Sequence, residues 1–354
     1  MPNRATDPIP STIWTECRRV TGTGFFFVAA ALAVLTVGCP PGPTKIKDWH
    51  DLNALREDLA GDYVLVNDLD STTAGYAELA GPTANGGKGW EPIGASDDSF
   101  TGDFDGQGNE IRDLCINRPD EDYVGLFACV SWTRHIDNFG RIANLGVVSA
   151  DVTGGDIVGC LVGHNGGLVA NSSSGGTVSA YERVGGLVGW NQRTLLNSFA
   201  SCTVSGDTAV GGLVGDNWLR ATVSNSYSGG NVTGVSKVGG LVGWNYYGVV
   251  MQSYAAASVS GDTRAGGLIG GDLGGTVTNS FWDTEMSATL VSGGGIGKTT
   301  AQLRSIATYT DTTTEGLDEP WDITAVTSST ADRAYIWNIV EGYAYPFLSW
   351  QSAG

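Results

Sequence analysis

Positive charge, histidine and proline are scarce in this sequence, and each shortage narrows what the chain can be. Lys and Arg together number 19 against 37 Asp and Glu, which gives a formal net charge of −18. Such a surface repels phosphates, so no nucleic-acid partner is expected. The acids are spread along the chain and form no block, which favours a role in solubility over dedicated cation binding. The three histidines (His50, His135 and His164) are scattered. There is no His-Glu-x-x-His and no Cys-x-x-Cys, so a zinc protease or zinc ribbon has no support, and neither a metal site nor a cofactor is expected. Proline contributes only 11 residues while glycine contributes 53. With no three-residue period, that glycine is not collagen. With 41% hydrophobic residues it is not disorder either. Much glycine among recurring Val, Leu and Ile suggests short strands joined by tight turns.

Long apolar runs are also missing. Residues 24–38 (GFFFVAAALAVLTVG) form an uncharged run of 15 that follows Arg18-Arg19. A spanning helix needs about 20 apolar residues, so this length suits the core of a secretory signal. Cys39 follows directly, then Pro40-Pro41-Gly42-Pro43. Small residues before a cysteine at this point resemble the lipobox of bacterial lipoproteins, although Thr36 stands where that pattern prefers Leu, with Leu35 one step back. The resemblance implies a signal peptide over residues 1–38, acylation of Cys39 and a membrane contact through the lipid. The alternative is a plain signal peptide and a secreted protein.

The main signal is an internal repeat. Gly-Cys-Leu-Val-Gly begins at Gly159, Gly-Gly-Leu-Val-Gly at Gly185, Gly211 and Gly239, and Gly-Gly-Leu-Ile-Gly at Gly266. A second column runs through Asn144, Asn171, Asn197, Asn225, Gln252 and Asn279, mostly followed by Ser and, in four rungs, by Phe199, Tyr227, Tyr254 or Phe281. A third holds Val152, Val178, Val204, Val232 and Val259. Three strands of four to six residues plus three turns need about 25 residues, the length of one coil of a parallel β-helix. A propeller blade needs about 40. Stacked amides and stacked rings explain the recurring polar and aromatic residues as structural ladders. Read as one strand, Val-Gly-Gly-Leu-Val-Gly would put Val184, Gly186 and Val188 on one face and Gly185, Leu187 and Gly189 on the other.

These repeats resemble the GLUG-motif proteins of bacterial surfaces. The likeness covers residues 48–354, and outside the repeat it includes Trp90-Glu91-Pro92-Ile93-Gly94, Phe100-Thr101-Gly102-Asp103-Phe104-Asp105-Gly106, Phe281-Trp282-Asp283 and Trp337-Asn338-Ile339. It implies a right-handed parallel β-helix on a secreted or surface-attached protein, and no single activity. The expected class is therefore all-β: a β-solenoid of about three short strands per coil of 26–28 residues. The expected order is a linker at 39–47, an N-terminal helix/strand cap with first strands at 48–98, the solenoid at 99–282 and a C-terminal cap at 283–354. Asp48 would cap a helix with Leu52, Leu55 and Leu59 on one face. A short helix is expected near residues 300–306.

Candidate chemistry is thin. The segment Gly293 to Thr299 has the flavour of a phosphate loop, but Ser292 stands where the first required glycine belongs. The segment Asp103 to Asn109 lacks the spacing of a calcium loop. Asp207 and Asp262 sit two rungs apart, about 10 Å, too far to share an ion. Cys115, Cys129, Cys160 and Cys202 fall in different columns, so no disulfide stack is expected. No catalytic residues are assigned. The sharpest binding candidates are aromatic: Trp190 and Trp244 share one place after the repeat, His164 and Asp216 occupy it in other rungs, and Trp218, Tyr246 and Tyr247 lie nearby. Such rings can stack on sugars or on a partner's side chains, or simply pack over adjoining turns. The function expected is that of a non-enzymatic exported surface protein, binding a glycan or protein ligand in adhesion. A polysaccharide lyase or glycoside hydrolase is the first alternative, though Arg183, Arg193, Arg220, Lys237 and Arg264 share no column with an acid partner. A purely structural envelope component is the second.

Overall fold

A computed structural model describes residues 42–131, 139–328 and 330–351. The proposed signal peptide, Cys39 and His135 lie outside the described residues. The chain winds into a parallel β-solenoid, as the repeat implies. One coil shows the plan. Thr194–Leu196 joins a first sheet, Phe199–Ser205 and Thr208–Gly211 a second, and Val214–Trp218 a third, before Thr222–Ser224 returns to the first sheet one rung on. Among the described residues the first sheet has nine strands, the second twelve and the third six, and every neighbour within them is parallel in the repeat region.

The repeat glycines sit at a corner rather than inside one strand. Glu182–Gly185 ends the second sheet, Gly186 and Leu187 turn, and Val188–Asn191 begins the third. Strand alternation therefore fails here, and Val184, Leu187 and Val188 are all fully buried. The bend removes the two-faced pattern expected of a straight strand. Glycine is needed because the backbones nearly touch: a Cβ on Gly211 or Gly239 would collide with the carbonyl of Val214 or Val242. The corner leucines Leu161, Leu187, Leu213, Leu241 and Leu268 stack down the axis with no exposure. Truncating one to Ala removes a fully packed side chain and costs about 2–5 kcal/mol.

The Asn144–Asn279 column does a different job from a continuous amide ladder. Asn171 Nδ2 donates to Asn144 at 3.0 Å and Asn197 to Asn171 at 3.3 Å. Beyond that, Asn225 and Asn279 accept from the C-terminal segment instead. What unites the column is a left-handed backbone, with φ between 47° and 56° from Asn144 to Asn279, a conformation that Asn tolerates better than most side chains. The long amide ladder lies elsewhere. Asn165, Asn191, Asn217 and Asn245, all with no exposure, pass Nδ2 hydrogen bonds down the stack at 2.8, 2.9 and 3.0 Å, and the last ends on Asp272 at 2.7 Å. Buried serines form a second ladder, in which the Ser172 amide donates to Ser198 Oγ at 3.1 Å and the pattern repeats to Ser280.

The N-terminal segment enters the same core. Asp48 caps the helix Trp49–Asn53 by accepting from the Asp51 amide, and a 3-10 turn, Ala54–Glu57, follows. Leu52 and Leu55 are buried and Trp49 packs on Trp90 with ring centroids 5.6 Å apart. Thr44–Ile46, in the stretch expected to be a linker, is a strand paired with Asp62–Leu65. At the other end, Ile296–Lys298 adds a last strand to the second sheet. Thr299 caps the helix Thr300–Leu303 with a capping box, and Ala307–Thr310 forms a second short helix. Residues beyond these run back along the side of the solenoid. Trp350 Nε1 donates to the Asn197 carbonyl, Trp337 Nε1 to Asn225 and Trp321 Nε1 to the Asn279 carbonyl. Underneath lie Phe199, Tyr227 and Tyr254, stacked at 4.9 and 5.0 Å with nearly parallel planes. The aromatic column is thus a dry seat for the C-terminal segment. It begins at Phe199, where that segment reaches; the rungs before carry Gly146 and Ser173 in its place.

A candidate binding corner

The third sheet places His164, Trp190, Asp216, Trp244 and Gly271 in direct register, one per rung. Each follows the repeat glycine and precedes the buried amide ladder, so its neighbours in sequence are fixed on both sides. The side chains differ sharply in what they meet. His164 is 1% exposed, contacts Gln192 at 3.1 Å and lies 5.0 Å from the Trp190 ring. Burial pulls its pKa down to about 4, against the hydrogen bond that Nε2 donates to Gln192 Oε1. Asp216 is 3% exposed between the two tryptophan rungs. Burial pushes its carboxyl up to about 7, although Arg183 and Lys237 draw it down. Arg183 Nε lies 3.5 Å from Asp216 Oδ2, while the buried Oδ1 has no hydrogen-bond donor among the described residues.

Trp190 and Trp244 are half-buried and carry cations on their rings. The Arg183 guanidinium lies 5.5 Å from the Trp190 centroid. Lys237 Nζ lies 4.2 Å and the Arg264 guanidinium 5.9 Å from that of Trp244. Both indoles are therefore partly covered by their own chain.

The more open surface is the next turn along. Trp218, Tyr246 and Leu273 pair in register at the end of the third sheet. Trp218 and Tyr246 stack at 4.0 Å with planes 20° apart. Trp190 meets Trp218 edge-on at 6.2 Å, and Tyr246 meets Tyr247 edge-on at 4.9 Å. Four of the five aromatic candidates thus form one chain of ring contacts, and Trp244 stands apart with its cations. Around the stack, Leu219, Tyr247 and Leu273 are 53%, 48% and 47% exposed. The two leucines escape a search for aromatics, yet Leu219 follows Trp218 directly and Leu273 is the register partner of Tyr246, so column alignment finds both.

Other chemistry is sparse in the described residues. No group of three His, Cys, Asp or Glu side chains there could hold a metal ion. Burial pushes the Cys129 thiol up to about 12 and Cys202 up to about 11, and Cys160 is raised well above its usual value. These thiols are inert at neutral pH. No described helix is long and apolar enough to cross a membrane.

No family model matches the chain. It is 34% identical over 152 residues to halomucin of Haloquadratum walsbyi, which covers 41% of this chain and 2% of that protein. It is 33% identical over 141 residues to a protein of Evansella cellulosilytica provisionally named a Gly-rich membrane protein, covering 38% of this chain and 15% of that one. The chain thus spans only a small part of either relative. Among solved structures, a Bacteroides ovatus protein provisionally named an immunoglobulin A1 protease matches with a TM-score of 0.63 over 88% of this chain and 93% of its own. At 17% identity, that likeness establishes the fold alone. The chain is a parallel β-solenoid, similar over about two fifths of its length to segments of two far longer proteins.

Proposed function

We propose that this is an exported, GLUG-type surface protein, lipid-anchored through Cys39, that binds a glycan at the corner built by Trp218, Leu219, Tyr246, Tyr247 and Leu273. One observation carries the binding site: consecutive rungs leave Leu219, Tyr247 and Leu273 about half exposed on a stacked aromatic base. A soluble solenoid has no packing reason to repeat that exposure. Rungs advance by about 4.8 Å, close to the length of one sugar unit, so a linear polysaccharide can run along the axis and meet Trp218, Tyr246 and Leu273 on successive rungs. Both relatives support a location at the cell surface or envelope, by the mucin-like name of one and the membrane in the name of the other. The apolar run at 24–38 ending at Cys39 supports export and anchoring.

A panel of polysaccharides, scored for both retention and new reducing ends, tests the binding site. Retention without cleavage, lost in Leu219→Ser/Tyr247→Ala, is the expected result. Cleavage would instead favour the lyase or hydrolase alternative, and no retention at all would favour a structural envelope component. Anchoring is tested by Triton X-114 partition: Cys39→Ala should leave the detergent phase, and its persistence there would refute acylation.

A further inference from the structure

Three of the cations of the repeat line up. Arg183, Ala209, Lys237 and Arg264 occupy one column in register, beside the column of Trp190, Asp216, Trp244 and Gly271. The three cations share a left-handed backbone with φ of 54°, 55° and 54°. That conformation disfavours a long side chain relative to Gly or Asn, so the cations stand there against local backbone preference.

Their surroundings divide in two. Arg183 is neutralised, with Glu182 at 3.1 Å and Asp216 at 3.5 Å. In the next rungs those acids are gone. The Glu182 position becomes Thr208, Ser236 and Thr263, and the Asp216 position becomes Trp244 and Gly271. Among the described residues no ion pair forms on Lys237 or Arg264; Asp262 lies two positions before Arg264 without pairing with it. A chain of net charge −18 thus keeps two adjacent cations outside any ion pair among the described residues, with Asp216 acting on Lys237 only at longer range and both cations set against one half-buried indole. Covering Trp244 explains Lys237 at 4.2 Å. It does not explain Arg264, which is exposed and stands near the outer limit of about 6 Å for such contacts.

We propose that Lys237, Arg264 and Trp244 form a subsite for an acidic polysaccharide, in which a sugar carboxylate or sulfate meets the two cations and the sugar ring lies against the indole. This rests on the glycan-binding function proposed above and names the class of glycan. Two cations on neighbouring rungs suit a polymer that carries a charge on successive units, and charge-assisted hydrogen bonds add to the stacking of the ring.

The test uses the whole solenoid with polygalacturonate and with fully methyl-esterified polygalacturonate, which keeps the backbone and removes the charge. Affinity electrophoresis should retain the protein on the acid form and at least about tenfold less on the ester. Lys237→Gln/Arg264→Gln should weaken retention on the acid form about tenfold and flatten its salt dependence, with the urea unfolding midpoint unchanged. Equal retention of both forms, indifferent to this double variant but lost in Leu219→Ser/Tyr247→Ala, would overturn the acidic subsite and keep the glycan-binding corner. No retention on either form would overturn the subsite, and failure across neutral polysaccharides as well would overturn the corner with it.

Discussion

Two buried titratable groups in one column should set opposing pH dependences on stability. Asp216 ionises near 7 in the folded chain and near 4 when unfolded. Between those values the folded state holds a proton that the unfolded state has released. Its contribution is therefore fully present below pH 4 and is lost as pH rises through 7, amounting to about 4 kcal/mol. His164 ionises near 4 when folded against an ordinary value near 6.5. Its contribution is present above 6.5 and is lost as pH falls towards 4, by about 3 kcal/mol. From pH 6.5 to 4 the two nearly cancel in the native protein. Asp216→Asn removes the first and unmasks the second. Relative to native, this variant should be more stable at pH 7.5 and should lose about 4 kcal/mol of that advantage by pH 4. His164→Asn should do the reverse. The groups facing Asp216 are Arg183, Glu182 and Lys237, all of which are unchanged in the comparison. Urea unfolding at pH 7.5, 6.5, 5.5 and 4.5, followed by tryptophan fluorescence, reads the difference, and subtracting native from variant removes the other carboxylates. If both variants track the native curve across this range, the burial argument for the column is wrong.

Three further outcomes follow from the packing. Asn217→Ala breaks the ladder at its middle and strands the Asn191 donor and the Asn245 acceptor, so thermal unfolding should show a loss of about 2–4 kcal/mol. Gly239→Ala places a methyl group on the Val242 carbonyl and should leave the chain insoluble or unable to show the native near-ultraviolet spectrum. Ending the chain after Lys298 uncovers Phe199, Tyr227, Tyr254 and Phe281, and binding of a hydrophobic dye should rise well above native while parallel-sheet circular dichroism persists.

Periodicity made most of this fold legible. A repeat of 26–28 residues with three apolar segments leaves few architectures, and the stack of Val162, Val188, Val214, Val242 and Ile269 follows from it directly. What alignment alone leaves open is how each repeat bends. The Gly-Gly-Leu-Val-Gly segment scans as a strand, and only the collision at Gly211 or Gly239 shows that it turns a corner. The amide ladder through Asn165 to Asp272 corresponds to Gly-x-Asn in the repeats that precede Asp272, a shorter signature than the Asn-Ser column. That column is selected by left-handed backbone, a property that composition does not display.

The binding corner was half legible. Trp190, Trp218, Trp244, Tyr246 and Tyr247 are conspicuous as rare residues at variable turns. Their exposure is not readable, because it depends on neighbouring rungs: Lys237 and Arg264 arrive over Trp244 from a different sheet, and Trp218 is stacked by Tyr246 from 28 residues on. The Arg183–Asp216 pair likewise joins two columns that meet only at the corner.

The most direct test of the central claim is a crystal structure of the solenoid soaked with an oligosaccharide taken from whichever polysaccharide retains it. The account predicts sugar density running along the axis over Trp218, Tyr246 and Tyr247, with Leu219 and Leu273 at its flanks. Sugar bound on another face of the solenoid, with this corner empty, would contradict it.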